Sequence, residues 1–106
     1  PDFKLRDKKT GKEFYVEVKW RKGEYNEENK IQWCNNNQLR RYKQVSKNES
    51  KVFVLMGIGS SPNKPKEIVL FPISSCHNIG LADSFLDRYS FSIKRPVPST
   101  FLWKLR

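Results

Sequence analysis

The sequence is poor in the residues that build several common kinds of site. Its 106 residues include two cysteines and one histidine, too few for a disulfide framework or for a metal site made of several histidines. No apolar run approaches the ~20 residues that a membrane span requires, and no signal peptide is visible. We therefore expect a cytoplasmic protein with reduced thiols and no membrane partner.

Acidic residues are scarce relative to basic ones. There are 11 Asp and Glu against 21 Lys and Arg, which gives a formal net charge of +10. Hydrophobic residues make up 37% and aromatic residues 13% of the chain, enough for one folded domain over residues 1–106 and too much for a disordered basic tail. A polyanion is the natural partner of such a chain, and nucleic acid is the first candidate. The alternative is a soluble protein whose cationic surface has no such role.

The first 21 residues have the pattern of a β-hairpin. Its strands would cover residues 3–6 and 14–21, with a turn at residues 8–11. If residues 7 and 12 are the last pair before the turn, paired residue numbers sum to 19, and Asp2 falls opposite Glu17. The second strand alternates between an apolar and a polar set. The apolar set is Phe14, Val16, Val18 and Trp20; the polar set is Tyr15, Glu17, Lys19 and Arg21.

This register brings two carboxylates and an ammonium together on one face of the hairpin. Asp2 and Glu17, with the carbonyl of Val18, could hold Mg²⁺ or Mn²⁺, and Lys19 could hold an attacking water or a phosphate oxygen. Carboxylates that face each other destabilise a sheet by roughly 0.2–1 kcal/mol, so the pair calls for a compensating cation. The alternative is that Glu17 and Lys19 form a simple surface ion pair, as such spacings often do.

The rest of the chain predicts an α/β domain with a mixed sheet and flanking helices. Asn35, Asn36 and Asn37 are candidate N-caps for a helix at about residues 36–47, and residues 31–33 could be a short extended piece. A nearly continuous apolar run at 51–58 is typical of a central strand buried on both faces. A further strand is expected at 67–73, with Pro72 indicating an edge or a strand end. A second helix is expected at 81–91, with Asp83 or Ser84 as its cap.

Two motifs give the chain a resemblance to a known superfamily. Pro1-Asp2 followed by Glu17-Val18-Lys19 resembles the signature of the PD-(D/E)XK nucleases, and Gln38 with Tyr42 is similar to the Q-x-x-x-Y helix motif of several of their branches. The resemblance covers about residues 1–73. It implies a restriction-endonuclease-like fold that here lacks the N-terminal helix and first strand which usually precede the Asp. It also implies catalytic roles for Asp2, Glu17, Lys19, Gln38 and Tyr42, with Asp2 and Glu17 binding the metal.

Several cations lie near these motifs in the sequence. We expect them to contact the phosphates of a nucleic acid, although Arg and Lys side chains on a helix are often only solvated. They are Arg21, Lys22, Arg40, Arg41 and Lys43.

The favoured function is metal-dependent hydrolysis of phosphodiester bonds in nucleic acid, with DNA preferred. The alternative is a non-catalytic module of the same fold that binds nucleic acid or protein, and a homodimer is left open. Zinc binding by Cys34, Cys76 and His77 is a weaker alternative, because their spacing matches no zinc pattern.

Overall fold

The computed structural model describes residues 1–61, 63, 66–92 and 98–106, and its core is a mixed four-stranded sheet with helices packed against it. The strands are β1 (Phe3–Arg6), β2 (Glu13–Arg21), β3 (Ile31–Gln32), β4 (Val52–Ile58), β5 (Glu67–Pro72) and β6 (Gly80–Leu81). The helices are α1 (Asn36–Asn48), α2 (Asp83–Tyr89) and α3 (Ser99–Lys104), with a single 3₁₀ turn at Ile73–Ser75. The sheet has the order β1-β2-β4-β5, and β3 pairs with β6 in a separate two-stranded ribbon.

The predicted hairpin and its register are confirmed. β1 and β2 are antiparallel, with Phe3 opposite Val16 and Leu5 opposite Phe14. The amide of Asp7 donates to the carbonyl of Lys12 across the last pair before the turn, at 2.8 Å. Gly11 has φ +74°, a left-handed conformation that glycine adopts without steric cost, which explains its place in this turn.

The chain crosses over through α1 and returns as β4 beside β2, which begins the second half of the sheet. β2 and β4 are parallel, with Glu17 opposite Val54 and Lys19 opposite Met56, and such a pair requires a long connection of this kind. Asn35 is the N-cap of α1, one of the three predicted candidates. Its side chain accepts from the amide of Gln38 while the Gln38 side chain accepts from the amide of Asn35, a capping box that stabilises the first turn.

The two faces of the sheet have different surroundings. On the covered face, alternate residues of β2 and β4 meet α1, and the main core forms there around Val54, Met56 and Tyr42. On the open face lie Val16, Val18 and Trp20 of β2 with Phe3 and Leu5 of β1. The inner part of the open face packs on α3 in a smaller core built from Phe14, Phe53, Leu70, Leu102 and Trp103.

The central and edge strands follow the sequence prediction. β4 is buried along most of its length, and β5 is the other edge of the sheet and ends at Pro72.

The second helix is shorter than predicted: it begins at Asp83 after Ala82, because Leu81 belongs to β6 and pairs with Ile31. Neither Asp83 nor Ser84 caps it, so that expectation was wrong.

Candidate active site

β2 carries Glu17 onto the covered face, into the space between the sheet and α1. The strand alternation places Tyr15, Glu17 and Lys19 on this side, and the parallel ladder sets Glu17 beside Val54. Val54 is fully buried and Glu17 is only 7% exposed. A carboxylate is rarely buried to this degree without a partner, so the polar side chains around Glu17 are of interest.

Asp2 lies next to Glu17, at the outer edge of the sheet. Its carboxylate accepts a hydrogen bond from the backbone amide of Val18 at 2.9 Å, which continues the hairpin register one step past β1. This bond is the main reason that the pKa of Asp2 lies below its ordinary value. Desolvation opposes it, and a side-chain hydrogen bond with Glu17 and the charge of Lys19 lower the pKa further. The structure thus brings the two predicted carboxylates together.

Tyr42 approaches the same point from α1. Its side chain is buried and stacks on Trp33 with ring centroids 6.0 Å apart. Burial raises the pKa of the Tyr42 hydroxyl to about 12, and the neighbouring Glu17 carboxylate contributes to the increase. The hydroxyl is therefore a neutral hydrogen-bond donor at neutral pH, suited to the carboxylate beside it.

Lys19 lies two residues beyond Glu17 on the same face. Its ammonium is 5.8 Å from the centre of the Tyr42 ring, within cation–π range. Within the part of the chain that the structure describes, Lys19 forms no ion pair with Asp2 or Glu17. The two ion pairs found there join Glu13 to Lys4 and Arg6. The simple ion pair between Glu17 and Lys19 is therefore not what the structure contains.

Gln38 occupies the third position of α1, one helical turn before Tyr42. Its side-chain oxygen accepts the amide proton of Asn35 at 3.0 Å, so that atom is used in the capping box. Gln38 also lines a cleft of about 280 Å³ together with Arg21 and Asn35. A role for Gln38 in orienting water or phosphate remains a prediction. Its side-chain NH₂ group is the part that the capping box does not use.

The five predicted phosphate-binding cations do not share one environment. Arg21 is turned inward: its guanidinium donates to the carbonyls of Trp20 and Trp33 at 2.7 and 2.5 Å, which ties β2 to the segment before α1. Arg40 and Arg41 are exposed on α1, and Lys22 is exposed just after β2. Lys43 is half-buried, with its ammonium 3.5 Å from Nδ1 of His77.

The donor set at the site suits a hard cation. Asp2, Glu17 and the carbonyl of Val18 would all present oxygen, which Mg²⁺ prefers, and Mg²⁺ commonly binds through one or two carboxylates while it keeps several waters. Among the described residues there is no cluster of three or more His, Cys, Asp or Glu that could hold a metal. The predicted Mg²⁺ or Mn²⁺ site therefore depends on two carboxylates, and it stays a prediction.

The cysteines occupy the core near Trp33. Cys34 and Cys76 are both buried and unbridged. Burial raises the pKa of Cys34 to about 11, with a further contribution from Cys76, and it also raises the pKa of Cys76. His77 is exposed beside Lys43. Because no three-ligand cluster exists in the described residues, nothing here supports the zinc alternative.

Asp7 is a buried acidic residue that the sequence reasoning missed. It is only 4% exposed, and its carboxylate accepts from the Lys9 amide at 2.8 Å and from the indole of Trp103 at 2.7 Å. The first contact is an Asx turn, which an Asp at the start of a turn can signal. The second joins residues 96 positions apart, and no local pattern predicts it.

Comparisons with family models, with curated proteins and with solved structures return no match to this chain. The resemblance to the PD-(D/E)XK nucleases therefore rests on the sequence motifs and stays a prediction. In the described part of the chain, no helix has the length and apolar character needed to cross a membrane.

Proposed function

We propose that this domain is a metal-dependent nuclease of the PD-(D/E)XK type that hydrolyses phosphodiester bonds in nucleic acid, with DNA as the preferred substrate. The observation that carries the proposal is the burial of Glu17 beside Asp2, at a point where Lys19 and Tyr42 also meet. Replacing a buried ionised group and its partners with apolar side chains is often neutral or stabilising, so stability alone does not explain a carboxylate at this position. The charge of +10 supplies the attraction for a polyanionic substrate.

Each residue has a task that follows from its position. Asp2 and Glu17 would hold the metal, with the Val18 carbonyl as a further ligand, and Tyr42 would orient the Glu17 carboxylate by donating to it. Lys19, which is not neutralised by an ion pair in the described residues, would bind a non-bridging phosphate oxygen or the attacking water. A bound Mg²⁺ would stabilise the charge on the phosphate and lower the pKa of a coordinated water.

The fold proposal is that β1, β2, α1 and β4 correspond to the shared core of the restriction-endonuclease-like proteins. The order of elements and the placing of Asp2, Glu17 and Lys19 support it.

A second candidate function is a non-catalytic module of the same fold that binds nucleic acid. Two observations favour it: Arg21 and Gln38 use polar atoms in backbone contacts, and Asp2 is exposed at the edge of the sheet. Both leave fewer groups free for chemistry than the motif implies.

The test is an incubation of the protein with plasmid, single-stranded DNA and RNA in Mg²⁺, in Mn²⁺ and in EDTA. Glu17→Gln and Lys19→Ala should each lower the rate of metal-dependent cutting by at least about 10²-fold. The control variants Glu28→Gln and Lys47→Ala change exposed residues and should cut at the wild-type rate. Mg²⁺ should also raise the Tm of the wild type and not that of Glu17→Gln, since only the former binds the metal. Binding without cutting, equal in all variants, would favour the non-catalytic module.

A further inference from the structure

The turn of the hairpin is built as a rigid element. Asp7 and Lys12 pair across its base, the amide of Gly11 donates to the carbonyl of Asp7 at 2.8 Å, and the Asp7 carboxylate accepts the amide of Lys9. The amide of Lys12 also donates to the hydroxyl of Thr10 at 3.2 Å. The indole of Trp103 anchors the turn to α3. The side chains at positions 8, 9 and 12 therefore extend from a fixed backbone.

This turn carries positive charge with little to neutralise it. Lys8, Lys9 and Lys12 are exposed and form no ion pair among the described residues, where the recorded pairs use Lys4, Arg6 and Glu13. The one acidic residue in the turn, Asp7, is buried and accepts two hydrogen bonds. Lys12 and Lys51 each place an ammonium 5.6 Å from the ring centre of Trp103, so Lys51 adds one more cation close to the turn.

A cleft of about 350 Å³ lies between this turn and the C-terminal segment. Arg6, Lys8 and Lys9 line one part of it together with Asp7, and Phe14 and Leu102 contribute apolar surface. Because Arg6 pairs with Glu13 at 3.9 Å, Lys8 and Lys9 are the cations that remain for a ligand. Cations beside an apolar surface suit a ligand that combines phosphate with sugar or base. The concave shape does not suit a flat membrane surface.

The cleft also has a defined position relative to the candidate active site. Asp2 and Asp7 flank β1, the edge strand of the sheet, so at about 3.4 Å per residue they are separated by about 17 Å. That distance corresponds to about five base-pair steps of a duplex. The cleft lies toward the open face and Glu17 on the covered face, so a nucleic acid that follows β1 and passes round the edge of the sheet would reach both places.

We propose that this hairpin-tip cleft, with Lys8 and Lys9 as its main cations, binds the phosphate backbone of a nucleic acid about five nucleotides away from the candidate active site. The inference rests on the proposed function in taking nucleic acid as the ligand. It adds a contact surface that is separate from the cations of α1, and it implies that the bound strand runs along β1.

The experiment measures binding of a labelled 30-base-pair duplex by fluorescence anisotropy in EDTA, across a range of salt concentrations. Lys8→Gln/Lys9→Gln removes two exposed charges of the cleft, and Lys47→Gln/Lys66→Gln removes two exposed charges elsewhere as a matched control. The cleft variant should bind about tenfold more weakly, and its salt-dependence slope should fall by about two, as the loss of two phosphate contacts requires. The control should change affinity less than about twofold and leave the slope nearly unchanged.

Equal losses in the two variants would overturn the proposal, because they would show an effect of net charge alone. Wild-type binding by the cleft variant would also overturn it, as would equally tight, Lys8- and Lys9-dependent binding of anionic lipid vesicles or of polyglutamate. The Tm of both variants verifies that the fold is intact. Because binding is measured without metal, a chain that never cuts DNA could still meet the prediction, so failure of the nuclease proposal and failure of this one can be told apart.

Discussion

On both faces of the sheet, the burial of β2 side chains differs from what their polarity suggests: a polar residue is buried on one face and apolar residues are exposed on the other. The residues that β2 directs to the covered face are polar, yet Glu17 among them is 7% exposed. Those it directs to the open face are apolar, yet Val18 is 46% exposed and Phe3 on β1 is 54% exposed. Alternation along a strand therefore identifies two faces without telling which one is buried. The buried carboxylate of Glu17 departs from the usual pattern, and departures of this kind are expected at functional or strained sites.

The largest contrast between the faces should appear in the rate at which a cysteine thiol is alkylated. Cys34 belongs to the core of the covered face, and its pKa of about 11 leaves about two orders of magnitude less thiolate at pH 8 than an ordinary cysteine has. We expect iodoacetamide to alkylate native Cys34 at least about 100-fold more slowly than a cysteine placed on the open face by Val18→Cys. Rates from mass spectrometry at pH 8 provide the check, and similar rates at the two positions would contradict the assigned burial.

The open face has its own anchor in the contact between Trp103 and Asp7. Trp103→Phe keeps an aromatic ring against Phe14, whose centroid is 5.5 Å away, but it removes the indole donor from a buried carboxylate. We expect the free energy of unfolding to fall by about 1–3 kcal/mol, as measured by urea denaturation. Asp7→Asn should also be destabilising, because both carboxylate oxygens accept hydrogen bonds and Asn replaces one of them with an NH₂ donor. A Trp103→Phe variant as stable as the wild type would show that α3 is not held by this contact.

A matched pair of substitutions compares the two faces directly. Val54→Thr places a hydroxyl at a fully buried position of the covered face and should lower the free energy of unfolding by about 1–3 kcal/mol. Val18→Thr makes the same change on the open face and should shift it by less than about 0.5 kcal/mol. Urea unfolding of both variants provides the measurement. Equal costs would mean that Val18 is covered in solution.

Much of the fold follows from local sequence, and the reasons are visible in particular residues. The hairpin register follows from alternation and from the glycine in the turn, α1 from Asn35 and the spacing of Leu39 and Tyr42, and β4 from its apolar run. β6 and α3 are too short for periodicity to reveal them. The boundary of α2 depended on Leu81 pairing with Ile31, which is a tertiary contact.

The candidate site was predictable in part. The pairing of Asp2 with Glu17 follows from the register. The position of Tyr42 beside Glu17 agrees with what the resemblance implied for this residue. The inward turn of Arg21 and the capping role of Gln38 were not predicted. The contacts of Arg21 depend on carbonyl groups that only the tertiary structure brings close. The capping role of Gln38 has a sequence signal, because Gln three residues after Asn35 is the capping-box spacing.

The central claim is that Glu17 is buried for its chemistry and not for stability. The most direct test is the double variant Glu17→Leu/Tyr42→Phe, which removes the carboxylate and its neighbouring hydroxyl together, measured by urea unfolding without metal and by plasmid cutting with Mg²⁺. Because replacing both polar partners with apolar groups is nearly neutral or stabilising, we predict an unfolding free energy equal to that of the wild type or up to about 2 kcal/mol higher, with cutting abolished. A variant that is destabilised by more than about 2 kcal/mol, or one that still cuts, would contradict the account.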